Sequence, residues 1–146
     1  MYNILQHTHS GFRWIVLILL VLSVVEIFIK WRRGKEYVKL DKLRSLGTMV
    51  AMHIQLLLGL ILYFISPNVQ FSGASMKDSM LRFFLVEHPL LMILAIVVVT
   101  IGYVRHKSHE ASAKKFKTIF WYYLIALILV LIGIPWPFQD YGAGWY

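Results

Sequence analysis

The sequence predicts an all-α membrane protein, an up-down four-helix transmembrane bundle with both termini outside, built as one domain over residues 1–146. Three observations carry that reading. Hydrophobic residues make up 59% of the chain and charged residues 15%, with a mean hydropathy of +0.67; a soluble domain carries charge on about a quarter of its residues. The apolar residues gather in four runs, near 12–29, 47–65, 81–104 and 118–134. Runs of this size make helices of roughly 25–35 Å, which matches a bilayer core. Twelve of the fifteen Lys and Arg fall in two connectors, 30–46 and 105–117, which the positive-inside rule places in the cytoplasm.

Residues 1–11 read as a short polar lead with His7, His9 and Ser10. The first span, 12–29, has Arg13 at its start and Glu26 four residues before Lys30, an ion-pair spacing on a helix. The second span, 47–65, is interrupted by Thr48, His53 and Gln55. Ala51, Gln55 and Gly59 recur every four residues, a close-packing stripe with one polar tie. Ser66-Pro67-Asn68 and Ser72-Gly73 mark a loop over 66–80. The third span, 81–104, carries Val86-Glu87-His88-Pro89 near its start. Proline fits the first turn of a helix, so the regular helix is expected to begin near Pro89, with Glu87 and His88 at its mouth. His88, Met92, Ala95, Val99 and Gly102 line up as mostly small residues, which either pack a neighbouring helix closely, the favoured reading, or leave room for a flat macrocycle. The fourth span, 118–134, stops at Pro135-Trp136-Pro137 and leaves an aromatic tail. Trp14, Trp31, Trp121, Tyr122, Tyr123 and Trp136 fall near span ends, as an aromatic belt does. Short connectors make successive helices antiparallel neighbours, so the first and third are diagonal across the core.

Several classes are excluded. The net charge of +8 lies in connectors between apolar runs, which is a topology signal and not a nucleic-acid surface. The chain has no cysteine, hence no disulfide, thiolate site or thiol catalysis. It has no phosphate-binding glycine loop, HExxH or nucleophile elbow, so no enzyme class follows. The first residues lack a signal peptide's basic region and cleavage site, and the first apolar run is expected to stay in the mature protein.

An ionisable group inside a span is expensive and marks a functional site by default. His7, His9, Arg13, Glu87 and His88 all fall near the outer interface, with Lys77 and Arg82 on the approach. His9 or His7 can face His88 across the bundle. Two imidazoles from diagonal helices can hold a haem, with Arg13, Arg82 and Lys77 neutralising its propionates. Neutral imidazole equally suits zinc, copper or non-haem iron, with Glu87 as a ligand or as a partner of one. The bland alternative is a set of solvated polar caps. His53 lies deeper, offset from His88 by about 10–20 Å along the bundle. It reads as a second site, a reserve ligand, or a hydrogen-bond partner of Tyr122 or Tyr123. Glu87 points about 100° away from His88 on a helix and is better placed to pair with Arg13 or Arg82. His106 and His109 sit in a basic connector and read as solvated.

His7-Thr8-His9-Ser10, the run HIQLLLGLILYFISP at 53–67, Met76-Lys77-Asp78, Arg82, Val86-Glu87-His88-Pro89 and Ile134-Pro135-Trp136 resemble a group of small four-span bacterial inner-membrane proteins loosely labelled cytochrome b-like. The resemblance covers nearly the whole chain. It implies b-type haem and electron transfer in a bacterial inner membrane, with the bilayer and other membrane subunits or quinone as partners and no nucleic acid. Paired histidines on the same helices, the pattern of respiratory cytochrome b, are not present. The expectation is therefore a b-type cytochrome-like protein or a haem-binding subunit of a respiratory assembly. Two alternatives stand beside it: a haem-free accessory scaffold, and a metal or proton conduit through His9, Glu87, His88 and His53.

Overall fold

The computed structural model describes residues 1–139 and 141; the remainder of the aromatic tail, 140 and 142–146, lies outside the described residues. Four long helices make up the molecule: α1 (Tyr2–Arg32), α2 (Lys39–Ile65), α3 (Ser79–His106) and α4 (Ser112–Gly133). All four are long and apolar enough to cross a membrane, and no strand occurs among the described residues. Each helix packs on the next and α1 also packs on α4, which closes a ring and makes α1/α3 and α2/α4 the diagonal pairs.

The helices outrun their apolar runs. The lead expected over residues 1–11 is helical from Tyr2, because nothing in it breaks a helix and Gly11 only weakens one. His7 and His9 therefore ride on α1 itself. The basic connectors are likewise mostly helix: α2 starts at Lys39 and α4 at Ser112. The first turn between helices is held by Gly34, at φ +62°, the left-handed region that glycine enters without strain. Asp78 caps α3 by accepting from the Leu81 N–H at 2.9 Å.

The core is narrow. Leu20, Ala95, Val99, Phe116, Ile119, Tyr123 and Ala126 are fully or almost fully enclosed, while Ile18, Leu57, Val104 and Ile132 turn apolar side chains outward. Small residues let α3 and α4 close up. A Cβ on Gly102 would lie 2.3 Å from Tyr122 Cβ, and one on Gly133 would lie 2.5 Å from Met92 Cε. The small-residue line of α3 is thus filled by α4 over most of its length.

The basic end of the α1–α2 pair is tied by charge. Lys30 bridges Glu26 at 2.8 Å and also bonds Asp41, and Arg44 pairs with Glu26. Asp41 is buried, and its other oxygen accepts from the Val38 N–H at 3.0 Å. Tyr123 donates to the Ser45 carbonyl at 2.7 Å, and Ser23 and Thr48 share a bond of 2.7 Å. His106, expected in solvent, is 2% exposed and sits between the rings of Tyr37 and Tyr103. Burial raises the pKa of the Tyr37 phenol, which stays neutral there. Tyr37, from the other basic connector, packs against the end of α3 at His106, a contact that a short basic segment does not signal.

Candidate functional site

His88 stands where α3 changes character. Residues Phe83–Glu87 form one π turn, and the His88 N–H reaches back five residues to the Phe83 carbonyl. Regular α-helix runs from His88 to His106 with Pro89 in its first turn, close to the expected start, but the helix continues upstream instead of opening there. Pro89 has no N–H, so the carbonyl four residues earlier loses its helical partner. That carbonyl, of Leu85, accepts from the Tyr63 hydroxyl of α2 at 3.0 Å. The wider π turn also explains the fate of Glu87. It bonds Arg82 at 2.8 Å, five residues back, a spacing that does not face on an α-helix. Both side chains are 42% exposed.

From α1, His9 reaches the same level. Its ring lies against Gly59 of α2, where an added Cβ would sit 3.1 Å from His9 Cε1. Gln55, one turn before Gly59, donates its amide to the His9 carbonyl at 2.9 Å. The expected close-packing stripe of α2 is therefore also the seat of a histidine. The rings of His9 and His88 stand 6.3 Å apart, centroid to centroid, at 80° to one another.

The hydrogen bonds settle one tautomer. His88 Nδ1 lies 2.7 Å from the carbonyl oxygen of Gly133. A carbonyl only accepts, so Nδ1 carries the proton and Nε2 carries the lone pair. This is the arrangement in which metal-bound histidines are usually held. On His9, Nδ1 is buried with no partner, as is Gln55 Oε1. Buried polar atoms are rarely left so.

Both rings border a partly open cavity of about 360 Å³ lined by residues of all four helices, whose walls include Arg13, Gln55, Met52, Leu56 and Met92. Arg13 is 9% exposed, with its guanidinium 5.2 Å from the Trp14 ring. Phe83 and Phe84 flank His88, and Tyr141 stacks on Phe83.

The other expected site residues are not brought here. Glu87 and Arg82 neutralise each other outside the cavity walls, and Glu87 does not pair with Arg13 by any ion pair among the described residues. Lys77 is exposed and off the cavity, and His7 is exposed on α1. His53 faces α3 instead of the cavity: its Nδ1 donates to the Met49 carbonyl at 2.8 Å, and Nε2 lies 3.4 Å from Thr100 Oγ1. The partners expected for it are engaged elsewhere, Tyr122 by Arg105 and Tyr123 by Ser45. No group of three His, Cys, Asp or Glu converges to hold a metal among the described residues. Sequence reasoning missed Gly59, Gly133 and Tyr63 as parts of the site. A small residue every four positions around a polar side chain, as in Ala51, Gln55 and Gly59, signals close approach, but not which residue of another helix fills it.

No family model, curated protein or solved structure matches the chain.

Proposed function

We propose that this is a four-span membrane protein that holds a b-type haem between His9 and His88 and passes electrons through it. One observation carries the reading: two imidazoles on diagonal helices, with centroids 6.3 Å apart and both bordering one cavity, one of them with its Nε2 lone pair set free by a backbone bond. Two imidazoles bound end-on to one metal, at bonds of about 2.0–2.1 Å, place their centroids roughly 6 Å apart. A metal held by protein alone needs further ligands, and none converges among the described residues. His9 and His88 would suffice for a b-type haem, whose ring would provide the remaining ligands and whose iron would supply a reversible one-electron couple.

The residues divide the work. Gly133 fixes the His88 ring and tautomer, and Gly59 and Gln55 seat His9 on α2. Arg13 supplies a buried cation on the cavity wall for a propionate. Met52 and Met92 are the deformable part of the wall, since methionine repacks readily, and with Leu56 they would line the apolar faces of a bound haem. The exposed apolar faces of the four helices then meet lipid. The basic ends lie in the cytoplasm by the positive-inside rule, with His9 and His88 near the outer face of a bacterial inner membrane. A reporter fused after Tyr146 is expected to be active outside; cytoplasmic activity inverts the orientation.

The decisive measurement is a reduced-minus-oxidised spectrum of the purified full chain. His88→Ala and His9→Ala are expected to lose the Soret band and His53→Ala to keep it. Glu87→Gln is expected to keep haem and shift its midpoint. Absence of a Soret band after haem-replete expression overturns the reading. The bonds His88–Gly133 and Gln55–His9 also suit a haem-free scaffold, in which the histidines only tie helices. That reading predicts that His88→Ala lowers stability and leaves spectrum and metal content unchanged.

A further inference from the structure

A second cavity, of about 1100 Å³, opens at the basic end between α1 and α2. We propose that it binds an anionic phospholipid. Its upper wall is apolar, with Leu22, Val25 and Ile29 from α1. Its lower rim is charged. Lys30 and Arg44 are already engaged by Glu26 and Asp41, which leaves Arg33 and Lys35 at the rim, opposed by Glu36. These two cations flank Gly34, whose left-handed backbone turns the chain there, and both are exposed.

The dimensions suit a lipid. From Leu19 to Arg33 the groove follows α1 for about 21 Å, against roughly 15 Å for half a bilayer core. One acyl chain lies along the apolar wall while its phosphate reaches the rim. A guanidinium gives a phosphate two parallel charge-assisted bonds, and basic pockets between transmembrane helices on the cytoplasmic side favour anionic headgroups. Gly47 keeps the α2 wall open: a Cβ there meets no atom within 4 Å. The inference rests on the membrane reading and is independent of haem.

The test is native mass spectrometry of the full chain, released from bilayers of equal phosphatidylglycerol and phosphatidylcholine. Preferential retention of phosphatidylglycerol is expected. Replacing Arg33 and Lys35 together by Gln is expected to cut that preference roughly thirtyfold, at about one basic contact's worth of surface attraction each. Gly47→Leu, whose Cβ enters open space at the groove wall, is expected to lower retention of both lipids with helix content unchanged. Equal retention by the unaltered chain, an unchanged preference in the double variant, or full retention by Gly47→Leu would each overturn the proposal. Failure of the chain to resist extraction from membranes by alkaline carbonate would instead remove the membrane reading beneath it.

Discussion

His88 donates from Nδ1 to the Gly133 carbonyl at 2.7 Å, and the contact exists because Gly133 has no side chain. A Cβ there would lie 3.0 Å from Leu91 Cβ, which is fixed to the α3 backbone, and 2.5 Å from the more yielding Met92 Cε. Gly133→Ala is therefore expected to push α4 from α3, at about 1–3 kcal/mol as overpacking usually costs. It should also lengthen the histidine bond. Denaturant unfolding of the detergent-solubilised protein measures the first effect, and the nitrogen chemical shifts of the His88 ring measure the second. Unchanged stability would mean that the two helices are not held at this distance.

Tyr63 carries the carbonyl that Pro89 leaves behind. Tyr63→Phe removes only the hydroxyl, so the Leu85 oxygen loses the Tyr63 donor at 3.0 Å while the ring packing on Phe71 remains available. A loss of about 0.5–1.5 kcal/mol is expected. The π turn should also exchange faster. Amide exchange over residues 83–88 tests this directly, and protection equal to that of the unaltered chain would show that the turn holds without α2.

Asp41 is the buried member of the charge network at the basic end, 4% exposed, with Lys30 on one oxygen and the Val38 N–H on the other. Asp41→Asn leaves Lys30 with Glu26, so its cost is expected to fall below the ~3–5 kcal/mol of breaking a wholly buried pair. It should exceed that of Arg44→Gln, whose side chain is half exposed and whose pair is worth less than about 1 kcal/mol. Thermal unfolding of both variants checks the ranking; the reverse order would assign the hold to the surface pair.

The helices were legible because an apolar run and its charged flanks are local, one-dimensional signals. Their ends were not, since residues 2–11 and 39–46 are helical without being apolar and pack only once the bundle exists. The diagonal meeting of α1 and α3 followed from connector lengths, and that placed His9 opposite His88. Which polar residues would share the cavity did not follow. Glu87 is turned to Arg82 by a π turn, and periodicity reasoning assumes 3.6 residues per turn throughout. His106 looked solvated for the opposite reason: its neighbours in sequence are charged, and its neighbours in space are Tyr37 and Tyr103.

Gly59 separates the seat of His9 from the stability of the fold. An alanine Cβ there would stand 3.1 Å from His9 Cε1 and 3.7 Å from Nδ1, so the ring has to retreat by a few tenths of an ångström. Alanine in a helix interior is favoured over glycine by about 0.8–1 kcal/mol, which offsets much of that crowding. Gly59→Ala is thus expected to unfold no more easily than the unaltered chain while shifting the ring pair from its 6.3 Å separation. With haem bound, the shift reads as a changed Soret position and midpoint potential. Gly47→Ala serves as the control, since its Cβ meets nothing within 4 Å; it should gain the same helix propensity and leave the spectrum alone. If the two variants give one spectrum, identical to that of the unaltered chain, then α2 does not set the position of His9, and the histidine pair is held by α1 and α3 alone.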